Sequence, residues 1–500
     1  MRLDELIAAD LAGEDAAIEI AGLAYDSRRV APGTLFFCVP GYRSDGHEFA
    51  AQAVLDGVVA LVVERPLGLG VPEVVVPSVR AAMGPIAARW NGDPSARLKV
   101  VGITGTNGKT TTAFLVRALL QAAGEQTGLL GTVTSIVGGE ERAVDRTTPE
   151  AIDLQADLRA MLDGGDRACA MEVSSHALAL DRVGGTKFAA AVFTNLTQDH
   201  LDFHPTMEDY YQAKRMLFAP ADRPPPGLSV INVGDRYGRR LAGEIAGAVT
   251  FAVEDDGADY RAEKLRCDVA GCGFELHTPA DRSEIGQREV MLPMPGRFNV
   301  ANALAALAVA HALGGDLDTL VAALEQGVPR VPGRFEPVRA GQEFTVLVDY
   351  AHTPDSLENV LRAARDIAAG RVICVFGAGG DRDRGKRPLM GKIASRLADV
   401  TVVTSDNPRS EDPESIVAEI VSGIARGAVS AEGPVHVEVD RRSAIEQAIA
   451  LAQANDVVVI AGKGHEQGQE LADGVKLPFD DVIVTRELLS ARIAAVGAGE

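Results

Sequence analysis

A glycine-rich loop between a predicted strand and a predicted helix constrains the fold most strongly. Residues 99–104 read KVVGIT, a short β-branched run that is typical of a buried strand. A helical pattern follows from about Lys109 to Ala123 and is closed by Gly124. Strands that alternate with helices in this way indicate a parallel sheet covered by helices. The sequence therefore predicts an α/β fold.

The loop itself, Gly105–Thr111, has the composition of a phosphate-binding loop. It reads Gly105, Thr106, Asn107, Gly108, Lys109, Thr110, Thr111. Glycines let backbone N–H groups close around phosphate oxygens, and the helix N-terminus adds a favourable dipole. We expect Lys109 to reach the β- and γ-phosphates of ATP and the Thr110 hydroxyl to ligate Mg²⁺. Position 103 is Ile, so the first glycine of the common pattern is missing; the alternative is a glycine-rich turn without a ligand.

The length of the whole chain, 500 residues, predicts about three domains, because a typical domain has roughly 100–200 residues. We place a small α/β domain at 1–97, a central ATPase-like domain with a parallel sheet at 98–332, and a Rossmann-like, doubly wound domain at 333–500. Segment 250–292 has an antiparallel character. The other strand candidates are Thr34–Val39, Val58–Val63, Ala168–Val173, Ala189–Thr194, Leu228–Val233, Phe344–Asp349, Arg371–Phe376, Asp399–Thr404 and Asp456–Ile460.

The net charge and the hydropathy pattern exclude some classes of binding partner. The formal net charge is −21, which argues against nucleic acid or an anionic membrane as the main partner, because both attract clustered Lys and Arg. The N-terminus lacks the apolar core of a signal peptide, and no apolar run reaches the ~18 residues of a membrane span. We expect a cytoplasmic protein, and a monomer.

The five cysteines are predicted to be reduced, buried thiols. Cys38, Cys169, Cys267, Cys272 and Cys374 are scattered and odd in number. Such a pattern is typical of a cytosolic protein. Cys267 and Cys272 are close in sequence, but no second Cys or His pair accompanies them, which argues against zinc.

A carboxylate and an imidazole follow two of the predicted strands. Glu172 ends one strand and His200 follows the next. Because ligands collect at the carboxyl ends of parallel strands, both can meet near the phosphates and hold a divalent cation. A lone histidine can equally be a hydrogen-bonded structural residue. Lys214, judged by its spacing and charge alone, is interpreted as a solvated helix lysine.

These segments occur together and in an order that resembles the Mur ligases. The matching segments are Gly105–Thr111, Glu172–His176, Thr194–Asp202, Ala213–Lys214, Gly296–Asn299, Asp349–His352 and Gly462–Glu466. Within that family the chain resembles the members that add the third peptide residue to UDP-N-acetylmuramoyl-L-alanyl-D-glutamate. The resemblance implies that ATP phosphorylates the D-glutamyl γ-carboxylate, and that an amine then attacks the acyl phosphate. Lys109 and Mg²⁺ are expected to offset the charge of the assembled anions.

The resemblance also implies roles for individual residues. It makes Lys109, Glu172, His200 and Lys214 catalytic, and it implies that Thr110, Glu172, His200 and a carbamylated Lys214 hold the metal. Asn299, Asp349 and His352 join residues 105–111 at ATP. The residues expected to bind the UDP-muropeptide are Ser27, Tyr42, Arg43, Ser44, Thr147, Thr148, Ser174 and Arg182.

The third substrate is predicted from Asp406-Asn407-Pro408-Arg409. Members of the family that add meso-diaminopimelate resemble this pattern, and a guanidinium can grip the distal carboxylate that lysine lacks. Lysine would leave such an arginine unpaired. The resemblance adds Arg382, Gly462 and Glu466 to this site. The alternatives are a lysine-adding ligase, a folylpolyglutamate synthase and a non-catalytic nucleotide-binding protein.

Overall fold

The computed structural model describes residues 1–7, 17–41, 44–221, 223–255, 257–279, 287–327, 331–427 and 433–497. The strands are β1 Gly22–Ala24, β2 Thr34–Phe37, β3 Val58–Val63, β4 Glu73–Val75, β5 Lys99–Thr104, β6 Thr127–Leu130, β7 Ser135–Val137, β8 Glu140–Arg142, β9 Ala168–Glu172, β10 Phe188–Phe193, β11 Ser229–Asn232, β12 Val249–Val253, β13 Tyr260–Asp268, β14 Gly271–His277, β15 Gln287–Leu292, β16 Glu336–Pro337, β17 Thr345–Asp349, β18 Val372–Phe376, β19 Val400–Val403, β20 Val435–Val437, β21 Val457–Ala461, β22 Gly468–Glu470 and β23 Lys476–Pro478.

The helices are α1 Leu3–Leu6, α2 Ala50–Leu55, α3 Val79–Trp90, α4 Lys109–Ala122, α5 Ala151–Asp163, α6 Ser175–Ala179, α7 Met207–Arg215, α8 Arg236–Glu244, α9 Arg297–Ala312, α10 Leu317–Gln326, α11 Pro354–Ile367, α12 Lys386–Leu397, α13 Pro413–Gly427, α14 Arg441–Leu451 and α15 Asp481–Gly497. Each predicted strand is present with its ends shifted by two residues or fewer. None of the helices in the described part of the chain is long and apolar enough to cross a membrane.

The chain forms two compact units. The first unit comprises Met1–Thr104, Gly124–Val192 and Gln212–Ser229, and the second comprises Gly105–Ala123, Phe193–Tyr211 and Val230–Glu500. The boundaries at 97 and 332 remain a prediction.

In the first unit, a small parallel sheet has the strand order β1-β2-β3-β4. All four residues of β2 are buried. This agrees with its uninterrupted, largely apolar TLFF sequence, which is typical of a parallel strand that is buried on both faces. Side chains of α1, α3 and the start of α5 pack on one face of this sheet.

The first unit also contains strands in the order β10-β5-β9-β6-β7-β8. β5, β9 and β6 run parallel, while β7 and β8 are antiparallel additions at the edge. Ile103 pairs with Glu172 in the register of β5 and β9. Glu172 therefore stands at the carboxyl edge of this sheet, where sequence analysis placed it.

The second unit carries strands in the order β11-β12-β13-β14-β15. The antiparallel expectation for 250–292 is confirmed for β13, β14 and β15, whereas β12 and β13 pair in parallel. Cys267 and Cys272 face each other across β13 and β14 and form a disulfide. The expectation that these two thiols are reduced is wrong, because the hairpin places the two residues opposite each other. Cys38, Cys169 and Cys374 are free and buried, as expected.

The C-terminal sheet of the second unit has the order β16-β17-β21-β18-β19-β20, and it is parallel except for β16. Every residue of β18 and β21 is buried. Helices α11, α12 and α13 cover one face, and α14 and α15 cover the other. This confirms the doubly wound, Rossmann-like prediction.

Candidate functional site

The glycine-rich loop leads from β5 into α4, as predicted. Gly108 caps α4 with φ +84° and contributes no capping side chain. The first N–H groups of a helix lack intrahelical acceptors, so this helix start is suited to a phosphate. A Cβ at Gly105 would lie 1.8 Å from Thr194 Oγ1, and one at Gly108 would lie 2.5 Å from Asn302 Oδ1. A side chain at either position would be strained by the positive φ and would crowd these neighbours, so glycine is favoured at both.

Two residues after β10 fix the loop in place. Asn107 N donates to Asn195 Oδ1 at 2.9 Å, and Asn195 Nδ2 donates to Asn107 O at 3.1 Å. Thr194 Oγ1 also donates to Asn107 O, at 2.6 Å. Thr106 N donates to Asn195 O at 2.9 Å. The loop is thus held in one conformation by its own protein contacts.

The two loop residues with predicted phosphate and metal roles both have defined contacts. Lys109 Nζ donates to the carbonyls of Gly105, at 3.0 Å, and Thr106, at 2.8 Å, so its ammonium lies against the loop. Thr110 Oγ1 accepts from Arg334 Nη2 at 3.0 Å. Arg334 is a residue that sequence analysis missed. The sequence shows Arg334 only as one arginine after the Pro332-Gly333 turn, and no motif there indicates a functional role.

Arg334 connects the loop with the end of β17. Its guanidinium lies over the Tyr350 ring, 4.5 Å from the centroid. The neighbouring Asp349 is buried and accepts from Phe335 N at 2.6 Å. Burial raises the pKa of Asp349 to about 6, although Arg334 opposes that shift. Asn299 and Arg334 line one cavity of about 590 Å³. Of the predicted residues, Asp349 therefore interacts with Arg334, and Asn299 lines the same cavity as Arg334.

His200 and His352 both interact with one buried carboxylate, Asp199. Burial favours the neutral form of Asp199, but the charges of His200, His352 and Lys386 outweigh it, so its pKa is lowered. His200 Nε2 lies 3.4 Å from Asp199 Oδ2, and 39% of the His200 side chain is exposed. Burial and Lys386 lower the pKa of His352. The structure thus assembles two predicted residues with Lys386, which was not predicted.

In the first unit, Glu172 is buried among hydroxyl groups. Glu172 Oε1 accepts from Thr132 N at 2.7 Å, and Oε2 accepts from Thr132 Oγ1 at 3.2 Å. The Oγ1 atoms of Thr132 and Thr147 are 3.1 Å apart. Thr148 Oγ1 donates to Glu172 O and accepts from Ser174 N. One predicted muropeptide residue, Thr148, therefore contacts Glu172 directly, while Thr147 and Ser174 are linked to it through Thr132 and Thr148.

Lys214 is buried, with only 1% of the residue exposed. The interpretation as a solvated helix lysine is wrong. On α7, Lys214 follows Tyr210 by four residues and Tyr211 by three, and both tyrosines are buried. Helical spacing therefore places all three on the buried face.

The predicted metal ligands do not form a cluster of acidic and histidine residues by themselves. The residues that the structure describes contain no group of three or more His, Cys, Asp or Glu that could hold a metal. The predicted set contains only two residues of these types, Glu172 and His200, alongside Thr110 and Lys214. Thr110 and Glu172 offer oxygen donors, the ligand type that Mg²⁺ prefers.

Arg182 belongs to an arginine cluster around Glu150. Its Nε lies 3.0 Å from Glu150 Oε1, and its Nη1 donates to Thr148 O at 3.4 Å. Arg146 and Arg80 approach the same carboxylate at 3.3 and 3.6 Å. Three guanidiniums around one carboxylate leave a local positive charge, which favours an anionic ligand beside Thr148.

The structure describes only some of the N-terminal residues that are predicted to bind the UDP-muropeptide. Ser27 begins a short 3₁₀ turn that Asp26 caps through Arg28 N at 3.0 Å. Ser44 O accepts from Gly41 N at 3.0 Å. Tyr42 and Arg43 lie outside the described residues.

The predicted third-substrate residues of 406–409 and 462–466 meet in the second unit. Glu466 Oε2 accepts from Asn407 Nδ2 at 2.8 Å and from Lys463 Nζ at 3.0 Å. A Cβ at Gly462 would lie 2.5 Å from Asp406 Oδ2. Pro408 is buried. Lys463, which is fully buried, was not predicted.

Among the described residues, the Arg409 side chain has two hydrogen-bond partners. Its Nε donates to Glu470 Oε2 at 2.9 Å, and its Nη1 donates to Gly380 O at 2.7 Å. The expectation that a substrate without a distal carboxylate leaves Arg409 unpaired is therefore wrong. Arg382 is exposed, and its Nη1 donates to Asp381 O at 2.9 Å.

The phosphate loop and the third-substrate loops are both in the second unit. Asn107 Nδ2 donates to Asp355 Oδ2, at the start of α11, at 2.7 Å. Gln198 Nε2 donates to Asp383 Oδ2, next to Arg382, at 3.3 Å. Hydrogen bonds thus join Asn107 to helix α11 and Gln198 to the loop that contains Arg382.

Comparison with known proteins identifies the family. Residues 19–91 match the Mur ligase family catalytic domain, 103–310 the Mur ligase middle domain, and 333–464 the Mur ligase glutamate ligase domain. A relative from Syntrophomonas wolfei is 47% identical over 483 residues, which cover 95% of this chain and 96% of the relative. A relative from Gloeobacter violaceus is 48% identical over 500 residues, with 98% and 99% covered. The chain belongs to the Mur ligase family.

Both relatives are named UDP-N-acetylmuramoyl-L-alanyl-D-glutamate–2,6-diaminopimelate ligase. A solved structure of a ligase with the same name has a TM-score of 0.69 to this Mur ligase, 33% identity, and 99% coverage of both chains. A Thermotoga maritima MurF ligase in complex with ADP has a TM-score of 0.65 and 18% identity, and it covers 96% of this chain and 98% of its own. That second likeness concerns the fold alone.

Proposed function

We propose that this Mur ligase adds meso-2,6-diaminopimelate to the D-glutamyl γ-carboxylate of UDP-N-acetylmuramoyl-L-alanyl-D-glutamate, using ATP, in peptidoglycan synthesis. One observation carries the proposal: Arg409 is half-buried and fixed in the same compact unit as the phosphate loop. The names of the two relatives support the same substrates. We further propose a cytoplasmic monomer with domains at 1–97, 98–332 and 333–500.

ATP is proposed to bind at 105–111, with Asn299, Asp349 and His352 completing its site. The contacts of Asn107 with Thr194 and Asn195 prearrange the loop, so little reorganisation is needed when phosphate binds. Lys109 would hold the β- and γ-phosphates, and Arg334 and Lys386 add positive charge near them.

Thr110, Glu172, His200 and Lys214 are proposed to hold Mg²⁺, which would neutralise phosphate charge and polarise the transferred group. The burial of Lys214 supports its carbamylation. A buried ammonium is costly, and a carbamate would turn the residue into an anionic metal ligand.

The UDP-muropeptide is proposed to bind through Ser27, Tyr42, Arg43, Ser44, Thr147, Thr148, Ser174 and Arg182. The positive cluster of Arg80, Arg146 and Arg182 supports an anionic substrate group next to Thr148. Diaminopimelate would bind through Arg382, Asp406, Asn407, Pro408, Arg409, Gly462 and Glu466, with Glu466 facing its distal ammonium.

With ATP, the UDP-muropeptide and diaminopimelate bound at these proposed sites, the reaction would proceed in two steps. The γ-carboxylate attacks the γ-phosphorus of ATP, which forms an acyl phosphate and releases ADP. The free amine of diaminopimelate then attacks the acyl carbon, and the tetrahedral adduct expels inorganic phosphate. Lys109 and the loop N–H groups stabilise the charge on the transferred phosphoryl group.

Phosphate release from ATP tests the proposal. Release should require both the UDP-dipeptide and diaminopimelate, and Arg409→Ala should lose most diaminopimelate use while ATP binding is kept. Release with the UDP-dipeptide and lysine instead would support a lysine-adding ligase. Release with folate and glutamate would support a folylpolyglutamate synthase, and no release would support a non-catalytic protein.

A further inference from the structure

The side chain of Arg409 is anchored on two sides by groups of the protein. Glu470 Oε2 accepts from its Nε at 2.9 Å, and Gly380 O accepts from its Nη1 at 2.7 Å. A Cβ at Gly379 would lie 3.0 Å from the same Nη1, so the backbone at Gly379 lies against the guanidinium. These contacts fix the plane of the guanidinium.

The backbone at Arg409 is held separately from the Glu470 side chain. Arg409 has φ +52°, a conformation that non-glycine residues seldom adopt. Arg409 N donates to Glu470 O at 3.0 Å, and Glu470 N donates to Asn407 Oδ1 at 2.9 Å. Both bonds use backbone atoms of residue 470. A substitution of Glu470 therefore changes the partner of the guanidinium and leaves the turn itself in place.

We propose that Glu470 is a positioning residue that orients Arg409 towards the distal carboxylate of the third substrate. A guanidinium has five N–H donors. Arg409 donates to described residues through Nε and Nη1, and its Nη2 makes no hydrogen bond to them. With Nε held by Glu470, the Nη2 end is the part of the guanidinium presented to a ligand.

This inference rests on the proposed function and refines its specificity. An arginine that is already oriented loses less side-chain freedom when it binds a carboxylate. The expected gain in affinity concerns the third substrate alone, because none of the hydrogen bonds that Glu470 makes to described residues reaches the phosphate loop. A simple surface ion pair would instead affect stability, or nothing measurable.

Two substitutions separate positioning from charge. Glu470→Ala removes the acceptor for Nε, whereas Glu470→Gln keeps an oxygen there without the negative charge. In steady-state phosphate release with saturating ATP and UDP-dipeptide, Glu470→Ala should raise the KM for diaminopimelate about tenfold. The kcat and the KM for ATP should stay within about twofold, and Glu470→Gln should restore the KM for diaminopimelate to within about threefold of the parent.

Matched controls make the result specific. Glu487 forms an exposed ion pair with Arg442 in the same unit, so Glu487→Ala should leave all three constants unchanged. In an Arg409→Ala background, assayed at raised diaminopimelate concentration, adding Glu470→Ala should have no further effect.

An unchanged KM for diaminopimelate in Glu470→Ala would overturn the inference, as would a further rise in the Arg409→Ala background or a failure of Glu470→Gln to rescue. The parent enzyme separates the two claims. A parent that releases no phosphate with diaminopimelate overturns the proposed function and this inference together. An active parent with an unaffected Glu470→Ala variant overturns the inference alone.

Discussion

A buried ion pair joins α14 to α15, and breaking it should destabilise the second unit strongly. Arg441 donates through Nε and Nη2 to the two carboxylate oxygens of Asp481, at 2.8 and 2.7 Å. Neither side chain is exposed. Arg441 also donates to the carbonyls of Ser405 and Ala461, which precede the two third-substrate loops.

The magnitude follows from the burial of both charges. Asp481→Ala leaves the Arg441 guanidinium buried with carbonyl partners but without its counter-charge. Such a loss costs about 3–5 kcal/mol of the free energy of unfolding. For a unit of roughly 300 residues, an unfolding entropy of about 2.1 cal/mol/K per residue makes each kcal/mol worth roughly 1.5 °C, so the unfolding midpoint should fall by about 5–8 °C.

Scanning calorimetry of the full chain measures this midpoint, and the same two helices provide a control. Arg442 and Glu487 form a 2.8 Å ion pair, but about half of each side chain is exposed. Exposed pairs contribute little, so Glu487→Ala should change the midpoint by no more than about 2 °C. If Asp481→Ala and Glu487→Ala shifted the midpoint equally, the reasoning from burial would be refuted.

Three further predictions concern the loop, a buried carboxyl and the cysteines. Gly108→Ala should lower ATP-dependent phosphate release at least ~100-fold, because its Cβ would clash with an asparagine of α9, whereas Gly124→Ala, with a similar φ but open space around it, should retain activity; equal losses would contradict the clash. Burial raises the pKa of Asp349 from 3.8 to about 6, so its neutral form stabilises the fold below pH 4 and that contribution is lost as the pH rises through 6. The urea midpoint of the parent minus that of Asp349→Asn should therefore fall between pH 4 and 7, and a constant difference would count against it. When the protein is purified without reductant and then denatured, thiol titration should find three thiols, and five after the Cys267–Cys272 disulfide is reduced. Five thiols before reduction would show that the disulfide is absent.

Local patterns predicted much of the fold. The KVVGIT run, the Gly105–Thr111 loop and the helix closed by Gly124 appear at their predicted positions. Buried parallel strands are recognisable because both faces need apolar side chains, so short runs such as those of β18 and β21 contain little else.

Long-range contacts were harder to predict. Arg334 meets Thr110 across 224 positions, and Lys463 meets Asn407 across 56, so no local pattern connects them. The charge of Lys214 favours a solvated position, but its spacing of four residues from Tyr210 on α7 places it on the buried face of that helix. The Cys267–Cys272 disulfide depends on a hairpin register that spacing alone does not specify.

A competition for the third position tests the central claim most directly. The purified protein is incubated with UDP-N-acetylmuramoyl-L-alanyl-D-glutamate, ATP and Mg²⁺, together with equal concentrations of meso-diaminopimelate and lysine. The mass of the UDP-linked product is then measured by mass spectrometry. We predict a tripeptide that contains diaminopimelate and almost none that contains lysine. A lysine-containing product, or an unextended dipeptide with ATP intact, would contradict the account.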